Sequence, residues 1–465
     1  MSYEKVLEKA LRLVKPSRSE ERKLKKIVEE ALNIAKEESR NFSGIVDISL
    51  EGSVAKNTWI KNRAEADVFV HFSREVSREE LEKKIVDLGT RIIERLGGKP
   101  MLMYADHPYV EGGIDNVTID IVACYKTEPP NWISATDRTP YHTRYVLERL
   151  KPGQEDDVRL LKGFMMACGV YGAEIKVRGF SGYLTELLVI GYGGFLEVLK
   201  RAAGWKPPVI LDLEGYYSSR EELLEIFRGN PLIVIDPVDR SRNVAAAVSM
   251  TKLSEFILAS RLFLENPSIK FFKEPSIKVR TKDILKLARE RHILYIFFRL
   301  REYKPRDVIW GELRRSEEGV RKALERLGFK VYRSASWTDE NKKCILLFEL
   351  NKLSLPRYML HQGPPVYLRN ALDFLEKWSR RGVGPWIQGD RLYVLKRNEE
   401  TYSKTLLKKE IKKGAVAVSR DLLEYFRKAS IGTDLRSLTK MVKKDEYALR
   451  FLYEFLKARP RFLMP

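Results

Sequence analysis

The sequence predicts an α+β protein of several domains, and three observations carry that reading. The chain has 465 residues, enough for about three domains at ~150 residues each. Apolar residues recur at helical spacing over residues 1–36, and short β-branched runs at spacing two follow them. Beyond about residue 255 the texture changes to a strand-helix-strand-strand order.

Taken in order, Val6, Leu7, Ala10, Leu11, Leu13 and Val14, then Ile27, Val28, Ala31 and Leu32, give the N-terminal helices their apolar stripe. Strands are predicted over Ile45–Leu50, with Val46, Ile48 and Leu50 on one face, and over Ala66–Phe72 and Val117–Val122. Helices are predicted near Glu79–Leu96 and Asp156–Cys168. Glu128-Pro129-Pro130 closes the first αβ unit, and Trp205-Lys206-Pro207-Pro208 reads as a surface turn. Farther on, His292–Leu300, Val331–Trp337 and Lys343–Leu350 read as strands and Asp307–Gly328 as an amphipathic helix. That order suits a small open sheet with helices on one side, as in RNA-recognition-type domains. The aromatic signature of those modules is absent, so the comparison concerns fold only. Leu353–Val366, holding Pro356, Pro364 and Pro365, reads as a hinge. A helix near Tyr367–Arg380, a strand near Arg391–Leu395 and mainly helix complete the chain.

A 44% hydrophobic fraction with 10% aromatics excludes general disorder. Against 64 Asp+Glu stand 85 Lys+Arg, a formal charge of +21, which favours polyanions, chiefly nucleic acid or an anionic membrane surface. Heat adaptation raises Lys and Glu together and leaves a one-sided excess unexplained. Residues 391–465 hold 19 Lys/Arg against 9 Asp/Glu, close to half of the net charge, interleaved with Tyr402, Tyr425 and Phe426. By itself this is a solvated helix face or a platform for a duplex backbone. Cys124, Cys168 and Cys344 lie far apart in apolar stretches, so neither disulfides nor structural zinc are expected. The first fifteen residues are a charged helix rather than a signal peptide. The longest run of apolar or glycine residues, Leu187–Leu196, falls short of the ~20 that span a bilayer. No membrane partner is expected, and cytoplasm is the default compartment.

The chemistry concentrates in three short stretches. In Leu50-Glu51-Gly52-Ser53-Val54-Ala55-Lys56 a strand ends in Gly-Ser and a helical turn follows. Glycine admits a ligand close to the backbone, and the serine hydroxyl and free N–H groups suit a phosphate. Most Gly-Ser pairs are plain turns, so spacing matters. Eleven residues separate Ser53 from Glu65, room for a helical turn and a return strand. Glu65 and Asp67 then share one strand face while Ala66, Val68, Val70 and Phe72 fill the other. Asp120, between Ile119 and Ile121, supplies a third acid. Three carboxylates on adjacent strands could hold two Mg²⁺ ions.

This pattern of Gly-Ser, acid-x-acid and a later strand acid resembles the DNA polymerase β-like nucleotidyltransferase superfamily. Within it, Gly-Ser-Val-Ala-Lys-Asn-Thr-Trp (52–59), Asp-Arg-Thr-Pro-Tyr-His (137–142), Arg-Leu-Leu-Lys-Gly-Phe (159–164), Val-Tyr-Gly-Ala-Glu (170–174), Val-Arg-Gly-Phe-Ser-Gly-Tyr-Leu (177–184) and Ile-Asp-Pro-Val-Asp-Arg-Ser-Arg-Asn-Val-Ala (235–245) resemble archaeal, class I CCA-adding tRNA nucleotidyltransferases. The likeness is specific over about the first 250 residues and looser beyond. It implies a polymerase β-like catalytic head (1–135), a helical neck for nucleotide recognition (136–255), a small α+β body of RRM or ferredoxin-like type (256–365) and a basic, mainly helical, tRNA-binding tail (366–465).

The resemblance assigns Glu65, Asp67 and Asp120 to the metal, Asp120 nearest the primer hydroxyl, and Ser53 and Lys56 to the triphosphate. It assigns His142, Lys162 and Tyr171, with Thr139 close by, to the nucleotide, and Arg242 to the incoming base. Lys56 departs from the Arg common in the family, keeping the charge but losing the bidentate fork. The residues alone support the neck assignments less strongly. Arg159 and Lys162, three apart on one helix, would read as an exposed basic edge, and a lone histidine such as His142 is more often structural. Implied substrates are CTP, ATP and tRNA, the last gripped at its acceptor and T arms. Oligomeric state stays open, a homodimer included. The competing reading is a poly(A) polymerase or oligoadenylate synthetase-like enzyme. A silent RNA-binding module would not need the intact acids, nor a small-molecule nucleotidyltransferase the basic charge.

Overall fold

A computed structural model describes residues 3–104, 106–275 and 278–464. The chain forms two compact units, Met1–Ser276 with Arg459–Pro465, and Ile277–Ala458.

The first unit opens with α1 (Tyr3–Val14) and α2 (Arg18–Ser39), separated at Pro16, where proline removes a helical donor. Ser17 restarts the helix through a capping box with Glu20. There follow β1 (Ile45–Glu51), the single turn α3 (Gly52–Ala55), β2 (Ala64–Phe72), α4 (Arg78–Arg95), β3 (Met101–Tyr104), β4 (Pro108–Ile114) and β5 (Val117–Tyr125). The strands make one sheet ordered β1-β2-β5-β4-β3, with β2 and β5 parallel and the other pairs antiparallel. One face packs Ala66, Val68, Val70, Phe72, Ile119 and Ile121 against α2 and α4. On β1 the expected apolar face is corrected. Val46 is 55% exposed, and Ile45, Ile48 and Leu50 pack inward, because a bulge between Ile45 and Asp47 shifts the alternation.

A second core lies among α5 (Thr139–Arg149), α6 (Gln154–Cys168), α7 (Gly182–Tyr192) and α8 (Phe195–Ala203), and α1 contributes Val6, Ala10 and Val14 to it. Beside it runs a three-stranded sheet that the sequence reading does not anticipate. Its strands are β6 (Val209–Leu211), β7 (Leu232–Asp236) and β8 (Asp239–Asn243), with α9 (Arg220–Ile226) between the first two, and α10 (Met250–Glu265) returns to the helical core.

The second unit contains α11 (Thr281–Leu287), β9 (His292–Arg299), α12 (Arg306–Arg326), β10 (Val331–Thr338) and β11 (Lys343–Leu350). Next come β12 (Tyr358–Pro365), α13 (Asn370–Trp378), β13 (Gly382–Gln388), β14 (Arg391–Arg397) and α14 (Ser403–Lys412). It closes with α15 (Leu423–Lys428), β15 (Ser430–Gly432), α16 (Leu435–Met441) and α17 (Glu446–Lys457). The main sheet, β10-β11-β9-β15, is covered on both faces rather than one. Leu294, Ile296, Leu346 and Phe348 meet α12, α14 and α15, while Ile293, Tyr295, Ile345 and Leu347 meet α11, α16 and α17. The uninterrupted apolar runs of β9 and β11 carry that signal, since a half-buried strand would alternate. The expected hinge at Leu353–Val366 is also corrected. Its prolines sit around β12, an edge strand of the sheet β12-β14-β13, a position where a missing N–H costs no ladder bond.

Candidate active site

The face of the head sheet turned away from α2 and α4 gathers the acids. Asp67 on β2 and Asp120 on β5 are register partners across the parallel pair, and Glu65 lies two residues before Asp67 on the same face. Glu51 stands opposite Asp67, and Glu111 opposite Asp120, so the row runs across four strands. Like charges side by side disfavour ionisation. Burial and then Glu65 push Asp67 up to about 7, and burial, Glu65 and Asp67 push Asp120 up to about 9. Asp120 is buried and its Oδ1 has no hydrogen-bond partner. An unpaired buried oxygen in an anionic row fits a hard cation, which restores ionisation to both acids. Among the described residues no three His, Cys, Asp or Glu side chains are drawn together closely enough to hold a metal ion as they stand. The acids line a row rather than a cage.

The Gly-Ser turn packs directly on this row. Gly52 has φ +71°, and a Cβ there would fall 1.9 Å from Asp67 Oδ2, so no other residue lets the carboxylate sit so close to the chain. Ser53, partly exposed, follows in α3.

Behind the turn, residues 56–59 are clamped by buried charges. Lys56 Nζ donates to Glu186 Oε2 at 2.6 Å, and Thr58 Oγ1 donates to Glu186 Oε1 at 2.6 Å. Lys162 Nζ donates to Thr58 O and Oγ1, both at 3.1 Å, and reaches Glu186 Oε1 at 3.4 Å. Arg159 holds Asn57 O and Oδ1 at 2.6 Å, Trp59 O at 3.1 Å and Asp156 at 2.7 Å. The exposed basic edge expected at Arg159 and Lys162 is therefore wrong. Both are buried, because the 56–59 segment covers that face of α6. Burial pulls Lys162 down to about 8 against the pull of Glu186. Burial also works against an ionised Glu186, but Lys56 and Lys162 outweigh it and hold its carboxyl below the usual range. Tyr171 lies alongside: a Cβ on Gly182 would meet its hydroxyl at 3.1 Å and Lys162 Nζ at 3.8 Å.

A second cluster centres on Asp236, at the end of β7. Its Oδ2 accepts from His142 Nε2 at 2.9 Å and from Arg242 Nη1 at 2.6 Å. Its Oδ1 accepts from Tyr183 Oη at 3.2 Å and from the Val238 N–H at 3.1 Å. The rings of His142 and Tyr183 stack at 4.0 Å. Burial lowers His142, with Asp236 opposing, so the imidazole is neutral near pH 7 and donates its Nε2–H. Asp137 sets the entry to α5: it accepts from the N–H groups of Tyr125, Ile133 and Ser134, tying the end of β5 to the helix that Thr139 opens and His142 occupies.

Sequence reasoning missed Glu51, Tyr183, Glu186 and Asp236. A signal existed for Glu186, the sole charged residue of α7 in an otherwise apolar helix.

A carboxylate pair in register on parallel strands, with a Gly-Ser turn packed against it, defines a polymerase β-like nucleotidyltransferase head. The comparisons agree with that class. A nucleotidyltransferase-domain family model matches residues 28–142, the second domain of tRNA nucleotidyltransferase matches 156–273, and the C-terminal domain of CCA-adding enzyme matches 289–432. The chain is 40% identical over 427 residues to a CCA-adding enzyme of Pyrobaculum islandicum, covering 91% of this chain and 97% of the relative. It is 37% identical over 467 residues to that of Methanothermobacter thermautotrophicus, covering 98% and 97%. The chain belongs to the archaeal-type CCA-adding enzyme family. Among solved structures, the Cid1 poly(U) polymerase bound to Mg 3′-dATP matches 58% of this chain and 98% of its own, at 16% identity and a TM-score of 0.45. Among the described residues no single helix is long and apolar enough to cross a membrane.

Proposed function

We propose that this chain completes the 3′ end of tRNA, adding C, C and A from CTP and ATP without a nucleic-acid template and releasing pyrophosphate. The observation that carries the reading is the in-register pair Asp67–Asp120 beneath the Gly52–Ser53 turn, in a chain of this family. Glu65, Asp67 and Asp120 would hold the divalent metal, Mg²⁺ and two ions in our reading. A metal held there would lower the pKa of the attacking 3′-hydroxyl and offset the triphosphate charge. The protein's own groups do the rest. Ser53, Lys56, Lys162 and Tyr171 are the groups we assign to the triphosphate, the two lysines from behind the Gly52–Ser53 turn. His142, stacked on Tyr183, and Arg242 address the base, with Thr139 at the entry.

The acceptor and T arms are proposed to lie on the basic surface of the second unit. Lys404, Lys408 and Lys412 share an exposed face of α14, whose other side buries Leu407 and Ile411. Removing this region by truncation at 391 would strip Leu407, Phe426 and Leu452 from two cores. Charge removal is the cleaner probe. Changing the three lysines to Gln is expected to flatten the salt dependence of tRNA binding by roughly 0.9 for each phosphate no longer neutralised. An unchanged slope in an anisotropy titration would remove α14 from the interface.

Extension of tRNA transcripts ending before CCA, after C and after CC, with Mg²⁺ and one labelled nucleotide at a time, tests the activity. CMP on the first two and a single AMP on the third support it. Long AMP tails on all three would support poly(A) polymerase instead.

A further inference from the structure

Burying an ionised carboxylate is costly unless it is matched. Glu186 is 1% exposed and is overmatched: two lysines converge on it, from the 56–59 segment and from α6. Apolar side chains of similar volume often replace buried ion sets at no loss of stability, so packing alone does not call for this cluster. Its geometry has another property. Both carboxylate oxygens are engaged, Oε2 by Lys56 and Oε1 by Thr58 and Lys162. The two ammonium groups are thereby held at a fixed separation behind the Gly52–Ser53 turn, and the cluster keeps an excess of one positive charge.

We infer that Glu186 is a positioning residue for the nucleotide triphosphate, acting through Lys56 and Lys162 rather than by touching the phosphates. The inference rests on the proposed role of those two lysines. Without Glu186 the ammonium groups repel each other in a buried site, and the phosphates meet them without a preset geometry. The triphosphate is common to CTP and ATP, so the loss falls on both nucleotides alike. It falls less on base selection, which Asp236 organises through Arg242 and His142 and which meets the lysine cluster only where Lys56 Nζ lies 5.7 Å from the centre of the Tyr183 ring.

The test uses the full-length protein with CTP on a transcript ending after C and ATP on one ending after CC. For Glu186→Gln the expected result is a KM raised by ~10-fold for both nucleotides, as for the removal of one charged hydrogen bond, with little change in kcat or tRNA affinity. Inhibition by inorganic tripolyphosphate weakens in parallel, while inhibition by the free nucleosides does not. Lys56→Met with Glu186→Gln should cost little more than Lys56→Met alone, because both act on one interaction. Should Glu186→Gln fold poorly, Thr58→Val, which removes one partner of Oε1, is expected to raise both KM values in smaller measure. If Lys56→Met raises KM and Glu186→Gln does not, the positioning role is overturned while the lysine assignment stands. If Lys56→Met and Lys162→Met both leave KM and tripolyphosphate inhibition unchanged, the lysine assignment fails first. A Glu186→Gln protein that loses kcat and melting temperature at unchanged KM would make Glu186 purely structural.

Discussion

The head sheet and the main sheet of the second unit are built from similar strand lengths to opposite ends. In β2 the even positions, Ala66, Val68, Val70 and Phe72, are all fully buried, and the odd face carries Glu65 and Asp67 at its open end before Phe69 and His71 close it. In β9 and β11 both faces are apolar and both are covered. A strand that alternates keeps a face for chemistry, and a strand that does not is scaffold. Substitutions in the two sheets should therefore separate stability from catalysis.

The largest effect is expected in the scaffold. Leu346→Ala on β11 removes a fully buried side chain and should destabilise by roughly 2–5 kcal/mol, read as a lower denaturation midpoint with transfer chemistry intact below it. Loss of turnover without loss of stability there would break the division. Next comes Gly52→Ala. Its Cβ collides with the Asp67 carboxylate, and displacement by about 1 Å should cost on the order of 10²-fold in transfer. Normal rates would mean that the close approach is incidental.

Asp236→Asn should be milder and different in kind. Weakening the hold on Arg242 and His142 should cost about 1–2 kcal/mol of discrimination, seen as UMP and GMP misincorporation rather than a general rate loss. Unchanged fidelity would detach this cluster from base selection. The smallest effect concerns pH. His142 and His71 are both depressed, chiefly by burial, so at these two sites the unfolded chain binds more protons than the folded one just below the ordinary histidine value of about 6.5. The histidine share of stability is fully present above about 6.5 and is lost as pH falls from there through the depressed folded-state values, opposite in sign to the share of Asp67 and Asp120, whose carboxyls are pushed up. His142→Gln should flatten the slope in part, leaving the share of His71. An identical slope in the variant would place the titration elsewhere.

What the sequence makes legible is local. Gly52, Ser53, Glu65, Asp67 and Asp120 declare themselves because strand alternation fixes which face each side chain occupies, and the intervening spacing brings the strands together. What stays hidden depends on partners remote in sequence. Glu186 meets Lys56 across 130 residues and Arg159 meets Trp59 across 100. A helix pattern shows that Arg159 and Lys162 share a face, but not that the 56–59 segment covers it. The second unit teaches the same lesson. The proline-rich stretch 353–366 reads as a break locally, whereas only the pairing with β14 reveals an edge strand.

The most direct test of the central claim is single-turnover transfer by Asp120→Asn of CMP onto tRNA ending in C and of AMP onto tRNA ending in CC. Transfer of both nucleotides should fall together, by on the order of 10²–10³-fold or more, with tRNA binding unchanged. Retention of either transfer within tenfold of the parent would contradict a single site on the acidic face of β2 and β5.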